Sequence, residues 1–227
     1  QSHALSRSLD ELVARRVAFL TAYQNAAYAE RYRALVEKAR SAEAGKAPGC
    51  SGLAEAVARY YFKLLAVKDE YEVARLYSGP EFRHSLREQF AGDYKLSLHL
   101  APPLIARRDP ETGHLQKQEF GPWILKAMGL LAKLKGLRGT ALDIFGYSAE
   151  RRMERQLIAD YETLLEELLT NLSSDNHALA VELASIPEKI RGYGHVKEAH
   201  VERAKACEAD LLAAFRDPAL RHQTAAE

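Results

Sequence analysis

"SAERRMERQLIADYETLLEELLTNL", residues 148–172, decides the fold class. Met153, Leu157, Tyr161, Leu164, Leu165, Leu168 and Leu172 recur at three- and four-residue steps. That spacing gathers them on one stripe of an α-helix, with charged residues on the opposite side. Ser148 stands just before the run, where a hydroxyl can accept a free backbone N–H of the first turn. An apolar helical stripe must be buried against other apolar elements. The chain is therefore expected to supply further helices.

It does so on both sides. Leu5 to about Ala44 is rich in Ala, Arg, Glu and Leu, all good helix formers, and Leu9, Leu12, Val13, Leu20, Tyr23 and Ala27 keep helical spacing. "GKAPGCSG" (45–52) breaks the chain. Ser51 reads as the N-cap of a second helix over 52–77. Gly79-Pro80 ends that helix, and a shorter one follows over 81–90. "GPWILKAMGLLAKLKGL" (121–137) is helical, with Pro122 suited to a first turn. After residue 172, "SSDN" (173–176) restarts a helix that runs to Ile186 and stops at Pro187. The last helix runs from about His195 to Phe215.

Between the helices the period changes. Residues 93–120 alternate polar and apolar, with Leu96, Leu98 and Leu100 on one face. "RDPETG" (108–113) supplies a turn. These residues predict one long β-hairpin over about 94–120. Pro102 and Pro103 cannot donate to a ladder, so the first strand is an edge or bends there. A lone hairpin is marginal in water, so it packs on the helices or joins a sheet outside the chain. The expected architecture is a mainly α-helical single domain over 5–216 with this hairpin inserted. Residues 1–4 read as linker and 217–227 as a flexible tail.

Composition narrows the function. Hydrophobic residues make up 47% of 227, enough for a core. A net charge of +1 argues against a general nucleic-acid binder. No apolar run approaches the roughly 20 residues of a membrane span. The start has no apolar secretory segment, which points to the cytoplasm. Cys50 and Cys207 are far apart and form no CxxC, so this chain alone holds neither a zinc ribbon nor an iron–sulfur cluster. They read as free thiols. His195, Glu198 and Glu202 share a helix face but are too few for a metal site. No GxSxG, GxGxxG or GxxxxGK[ST] pattern is present. No catalytic or metal-binding residue is assigned.

Charge is uneven. Residues 107–138 hold seven Lys/Arg against three Asp/Glu, net +4; residues 149–188 hold three against nine, net −6. Either both are ordinary solvated faces, or the basic set, Arg107, Arg108, Lys117, Lys126, Lys133, Lys135 and Arg138, docks an acidic partner. "IRGYGHVKEAH" (190–200) is the other candidate surface. Its two glycines suit a tight turn between helices. Its Arg191, Tyr193, His195 and Lys197 suit contact with a partner domain or an anion.

Four blocks together carry a resemblance: "VKDEYEVARLY" (67–77), "GDYKLSLHLAPPLIARRDPETG" (92–113), "KLKGLRGTALDIFGYSAERRMERQLIADYE" (133–162) and "LASIPEKIRGYGHVKEAH" (183–200). In this order they resemble the C-terminal region, a domain of unknown function, of bacterial fused indolepyruvate ferredoxin oxidoreductases. The resemblance runs from about Leu9 to Phe215. It implies a parent enzyme that decarboxylates an aryl 2-oxoacid on thiamine diphosphate with Mg. Electrons then pass through iron–sulfur clusters to ferredoxin, and an acyl-CoA is released. The family's cofactor motifs lie upstream of this region, so none of its catalytic residues maps onto a position here. The resemblance implies an accessory domain that packs on those upstream domains or on a homodimer mate. The alternatives are a small anion-binding contribution, to CoA or the 2-oxoacid, and a ferredoxin-docking surface.

Overall fold

In the computed structural model, residues 6, 8–92, 95–100 and 116–220 are described. The chain is mainly α-helical, with one two-stranded antiparallel hairpin. The order is α1 (Leu9–Tyr23), α2 (Ala26–Lys46), α3 (Leu53–Leu65), α4 (Glu70–Ser78), α5 (Pro80–Gln89), β1 (Leu98–Leu100), β2 (Gln118–Phe120), α6 (Trp123–Lys133), α7 (Ala149–Asn171), α8 (His177–Ser185) and α9 (Gly194–Arg216). Short 3-10 turns follow α6 (Leu134–Leu137) and α8 (Ile186–Lys189). The chain divides into two compact units, residues 1–66 with 152–227, and residues 67–151. No described helix is long and apolar enough to cross a membrane.

The first unit is built around the α7 stripe. Leu157, Tyr161, Leu164, Leu165, Leu168 and Leu172 are buried, as their spacing predicts, while Met153 is only half-buried against Leu157, Ile186, Ile190 and Ala204. Val36, Leu53, Val57, Leu65, Leu183 and Phe215 fill the same core as Tyr161 to Leu172, while Leu157 lies in a smaller cluster with Ile186, Ile190 and Ala204. Fully burying an aliphatic side chain stabilises by about 1.5–3 kcal/mol before chain entropy is counted. Tyr32, Tyr61 and Tyr161 run through this core as a stack, with ring centroids 6.1 and 6.0 Å apart. Each buried hydroxyl has a partner, as burial demands. Tyr32 donates to the Ala58 carbonyl (3.0 Å), Tyr161 to that of Ala184 (2.7 Å), and Tyr61 to Glu162.

Several expected boundaries shift for local reasons. The first helical segment is two helices, because Asn25 leaves helical geometry and its side chain caps α2 through the Tyr28 N–H (2.9 Å). The helix expected over 52–77 is also two, with Asp69 capping α4 through the Glu72 N–H (2.8 Å). Ser51 is not the cap of α3. Gly52 takes that position with φ of 116°, and the Glu43 carboxylate accepts the N–H groups of Leu53 (2.7 Å) and Ala54 (3.1 Å). The same carboxylate lies 2.7 Å from His177 Nε2, closing a buried polar group between α2, α3 and α8. Ser148 does cap α7, accepting from the Arg151 N–H (3.2 Å).

The second unit packs α4 against α6 and α5. Its strands pair Leu98 with Phe120, His99 with Glu119 and Leu100 with Gln118. Most of the expected hairpin, including Pro102, Pro103 and the 108–113 turn, lies outside the described residues.

The tyrosines set an alkaline limit on stability. Burial, aided in Tyr61 by its bond to Glu162, pushes Tyr32, Tyr61 and Tyr161 above their ordinary range. Burial and the neighbouring Asp143 push Tyr71 up to about 12. A raised folded-state pKa means that the folded chain holds more protons above the unfolded value of about 10. Stability is full below about pH 10 and is lost as pH rises through the folded values. In a phenolate absorbance titration, these four of the eleven tyrosines are expected to ionise only as helical circular dichroism collapses. All eleven ionising reversibly, with helicity intact, would contradict the packing described.

Candidate functional site

The "IRGYGH" stretch lies in the first unit, between the 3-10 turn after α8 and the start of α9. Pro187 opens that turn and is buried with Ile186 and Ile190. From α3, Lys63 Nζ donates to the carbonyls of Pro187 (2.7 Å) and Glu188 (3.1 Å), and the Tyr60 hydroxyl donates to Glu188 Oε2 (2.9 Å). His200 Nδ1 lies 2.7 Å from the Arg191 carbonyl oxygen. The turn is thus clamped from both sides, and what it projects is fixed.

It projects Arg191, Tyr193 and His195 into solvent; Tyr193 is 72% exposed. Lys197 is different. It is half-buried, and its Nζ donates to Glu154 of α7 at 2.5 Å. Lys63, which the sequence reading did not single out, joins the group. Its ammonium is pushed below its ordinary pKa by burial first, then by the nearby Arg191 and Lys197. Three cations therefore converge on one turn, offset in part by Glu188 and Glu154. Nothing local in the sequence marks Lys63, because its partners lie more than a hundred residues away. The N-cap residue of α9, Tyr193, makes no side-chain capping bond.

Gly192 and Gly194 take left-handed backbone, with φ of 88° and 54°. A Cβ at Gly192 would come within 2.8 Å of Val196 Cγ1, whereas at Gly194 it would meet nothing within 4 Å. Gly192→Ala is expected to cost about 1–2 kcal/mol from the backbone alone, plus the displacement of Val196. Gly194→Ala is expected to cost about 1 kcal/mol. Urea melts of the two variants check the order. Equal or reversed costs would contradict the turn geometry.

The basic set lies in the second unit, and its members do different things. Arg107 and Arg108 lie outside the described residues. Arg138 turns inward: its Nε lies 2.5 Å from Asp69 Oδ2, its Nη2 2.9 Å from Oδ1, and its guanidinium sits 5.5 Å from the centre of the Tyr71 ring. Asp143 completes this buried group. It accepts the Tyr71 hydroxyl (3.2 Å) and the N–H groups of Gly139 (2.8 Å) and Gly146 (3.1 Å). Lys135 is half-buried, and Lys117, Lys126 and Lys133 are exposed. Exposed large apolar side chains gather in the same unit: Trp123, Leu130, Leu134, Leu142, Ile144 and Tyr147 are each more than 40% exposed. Where exposed apolar side chains form a contiguous patch, they mark an interaction surface.

No group of three or more His, Cys, Asp or Glu side chains among the described residues could hold a metal ion. Both candidate surfaces lie within residues 9–210, the stretch that matches a family of unknown function, DUF6537. The chain belongs to that family. No curated protein and no solved structure matches it. In this DUF6537 member the matched stretch opens at the first residue of α1 and closes within α9, so it takes in both units.

Proposed function

We propose that this DUF6537 domain is an accessory interaction domain of an indolepyruvate (aryl 2-oxoacid):ferredoxin oxidoreductase. It packs on the upstream domains that bear thiamine diphosphate, Mg and iron–sulfur clusters, or on the dimer mate. The observation that carries this reading is the gathering of exposed large apolar side chains on residues 67–151. Water-facing tryptophan and leucine are costly for an isolated domain and ordinary for one that docks. The resemblance of four sequence blocks to those oxidoreductases supports the choice of enzyme. Catalysis, in this reading, stays with the parent, and the chain contributes assembly. The test is deletion of the domain from the parent, followed by measurement of oligomeric mass and of indolepyruvate turnover. Lost assembly or turnover is expected. Intact assembly and full turnover would overturn the reading.

A second reading has its own observation, the convergence of Lys63, Arg191 and Lys197 beside the start of α9. That arrangement suits an anion, and CoA or the 2-oxoacid carboxylate is the anion at hand. Calorimetric binding of CoA to the purified chain, lost in Arg191→Ala, would favour it. No heat of binding would exclude CoA.

A further inference from the structure

We propose that Cys207 is a modification site, a thiol that peroxide oxidises to a sulfenic acid with Lys189 as the proton donor. The chain has two cysteines, both free. Both are half-buried, so accessibility does not distinguish them. Their neighbours do. The Lys189 ammonium donates to Cys207 Sγ at 3.0 Å. Cys50 packs against the main core of its unit, and among the described residues no cation bonds its sulfur. A cation beside a sulfur favours the thiolate, the form that attacks electrophiles.

The fold holds both members of the pair. Lys189 closes the 3-10 turn Ile186–Lys189, which Ile186 and Pro187 anchor by burial. From α3, Lys63 grips the same turn through the Pro187 and Glu188 carbonyls. Cys207 follows the buried Ala204 by three residues on α9, so the two share a helix face. It packs against the cluster of Leu157, Ile186 and Ile190. That cluster also walls a small cavity, which Ala204 and Glu208 of α9 help to close. Cys207 thus lies beside a void of about one water's volume, the scale of a small neutral oxidant. The nearby Lys205 is engaged by Asp160 (3.1 Å) and Glu208 (3.0 Å). Lys189 is exposed, and its bond to the sulfur raises its ammonium above the ordinary lysine range, so it is charged at neutral pH.

The chemistry needs only peroxide. The Cys207 thiolate attacks one oxygen of hydrogen peroxide. An S–O bond forms, the O–O bond breaks and hydroxide departs. The Lys189 ammonium gives that hydroxide its proton, leaving water, a sulfenic acid and a neutral amine that solvent reprotonates. The sulfur loses two electrons and the peroxide gains them. Oxidation of this kind selects thiols that are ionised and accessible, and a second thiol reverses it.

The test treats the whole purified chain with hydrogen peroxide in the presence of dimedone, which traps sulfenic acids, and quantifies the two cysteine peptides by mass spectrometry. Cys207 is expected to be labelled about tenfold faster than Cys50. Lys189→Met should slow labelling of Cys207 about tenfold, and Lys189→Arg should keep part of the rate because a cation remains. Iodoacetamide separates the two roles of the lysine, since iodide leaves without a proton. Lys189→Met should therefore slow alkylation less than oxidation. Equal labelling of Cys50 and Cys207 in the wild type would overturn the assignment, whatever the variants do. An unchanged rate in a Lys189→Met chain of normal helicity, or equal slowing with both reagents, would overturn the role of Lys189 as proton donor.

Discussion

Asp69→Ala is expected to destabilise the chain by about 3–5 kcal/mol, a large share of the 5–15 kcal/mol that holds a typical domain folded. Asp69 is buried at the start of α4 and does two jobs there. Its Oδ1 accepts the Glu72 N–H, and both its oxygens face the Arg138 guanidinium. Alanine removes the cap, worth about 1 kcal/mol, and takes the Asp69 charge from an arginine whose side chain is only 11% exposed. The second loss is the larger, since an uncompensated buried charge costs more than the pair contributes. Asp69→Asn separates the two. It keeps a capping oxygen but not the charge, so its cost should approach that of alanine. Adding Arg138→Met to Asp69→Asn should recover part of the loss, because the cation that faced the lost carboxylate is then gone. Urea melts of the three variants check this, and a cost below about 1 kcal/mol for Asp69→Ala would mean that the pair is not formed.

Leu168→Ala is the matching test of the other unit. Leu168 is fully buried on α7, in the same core as Leu165, Leu183 and Val36. Truncating a leucine in so closed a site costs about 3–5 kcal/mol, partly transfer free energy and partly the cavity left behind. Thr163, exposed on the opposite side of α7, serves as the control; its alanine variant should stay within about 0.5 kcal/mol of the parent. Thermal unfolding by circular dichroism distinguishes the two. Similar costs at both positions would mean that the α7 stripe does not face the core.

The α7 stripe was legible because the signal and the structure share one cause: a helix turns every 3.6 residues, and burial selects one side. Chain breaks were legible where glycine and proline make them, as at 45–52 and 79–80. They were missed where a polar side chain makes them. Nothing in the composition of residues 5–44 separates α1 from α2, yet Asn25 does so by capping. Asp69 with Glu72 three residues on is a capping-box pattern and was readable as a helix start. The helix-forming residues around it masked the signal. The Glu43 cap of α3 was not readable, because the acceptor comes ten residues upstream and its other partner, His177, is 134 residues away.

The candidate surfaces divide in the same way. That Arg191, Tyr193, His195 and Lys197 share one turn followed from their adjacency. That Lys63 joins them, and that Lys197 is tied to Glu154, required the fold. Summed charge told least. The excess acid of 149–188 has its counter-ions on α2 and α9, so a segment that reads as an acidic face is largely neutralised within its unit. The excess base of 107–138 keeps at least Lys126 and Lys133 turned outward. A local charge count cannot distinguish these cases, because the pairing is made by distant residues.

The most direct test of the account is the affinity of this purified chain for the upstream polypeptide of the oxidoreductase proposed as its parent, produced separately and mixed in sedimentation velocity, with indolepyruvate turnover followed as the chain is added back. The account predicts a stoichiometric complex and recovered turnover or assembly. Two species sedimenting independently, with turnover unaffected by the added chain, would contradict it.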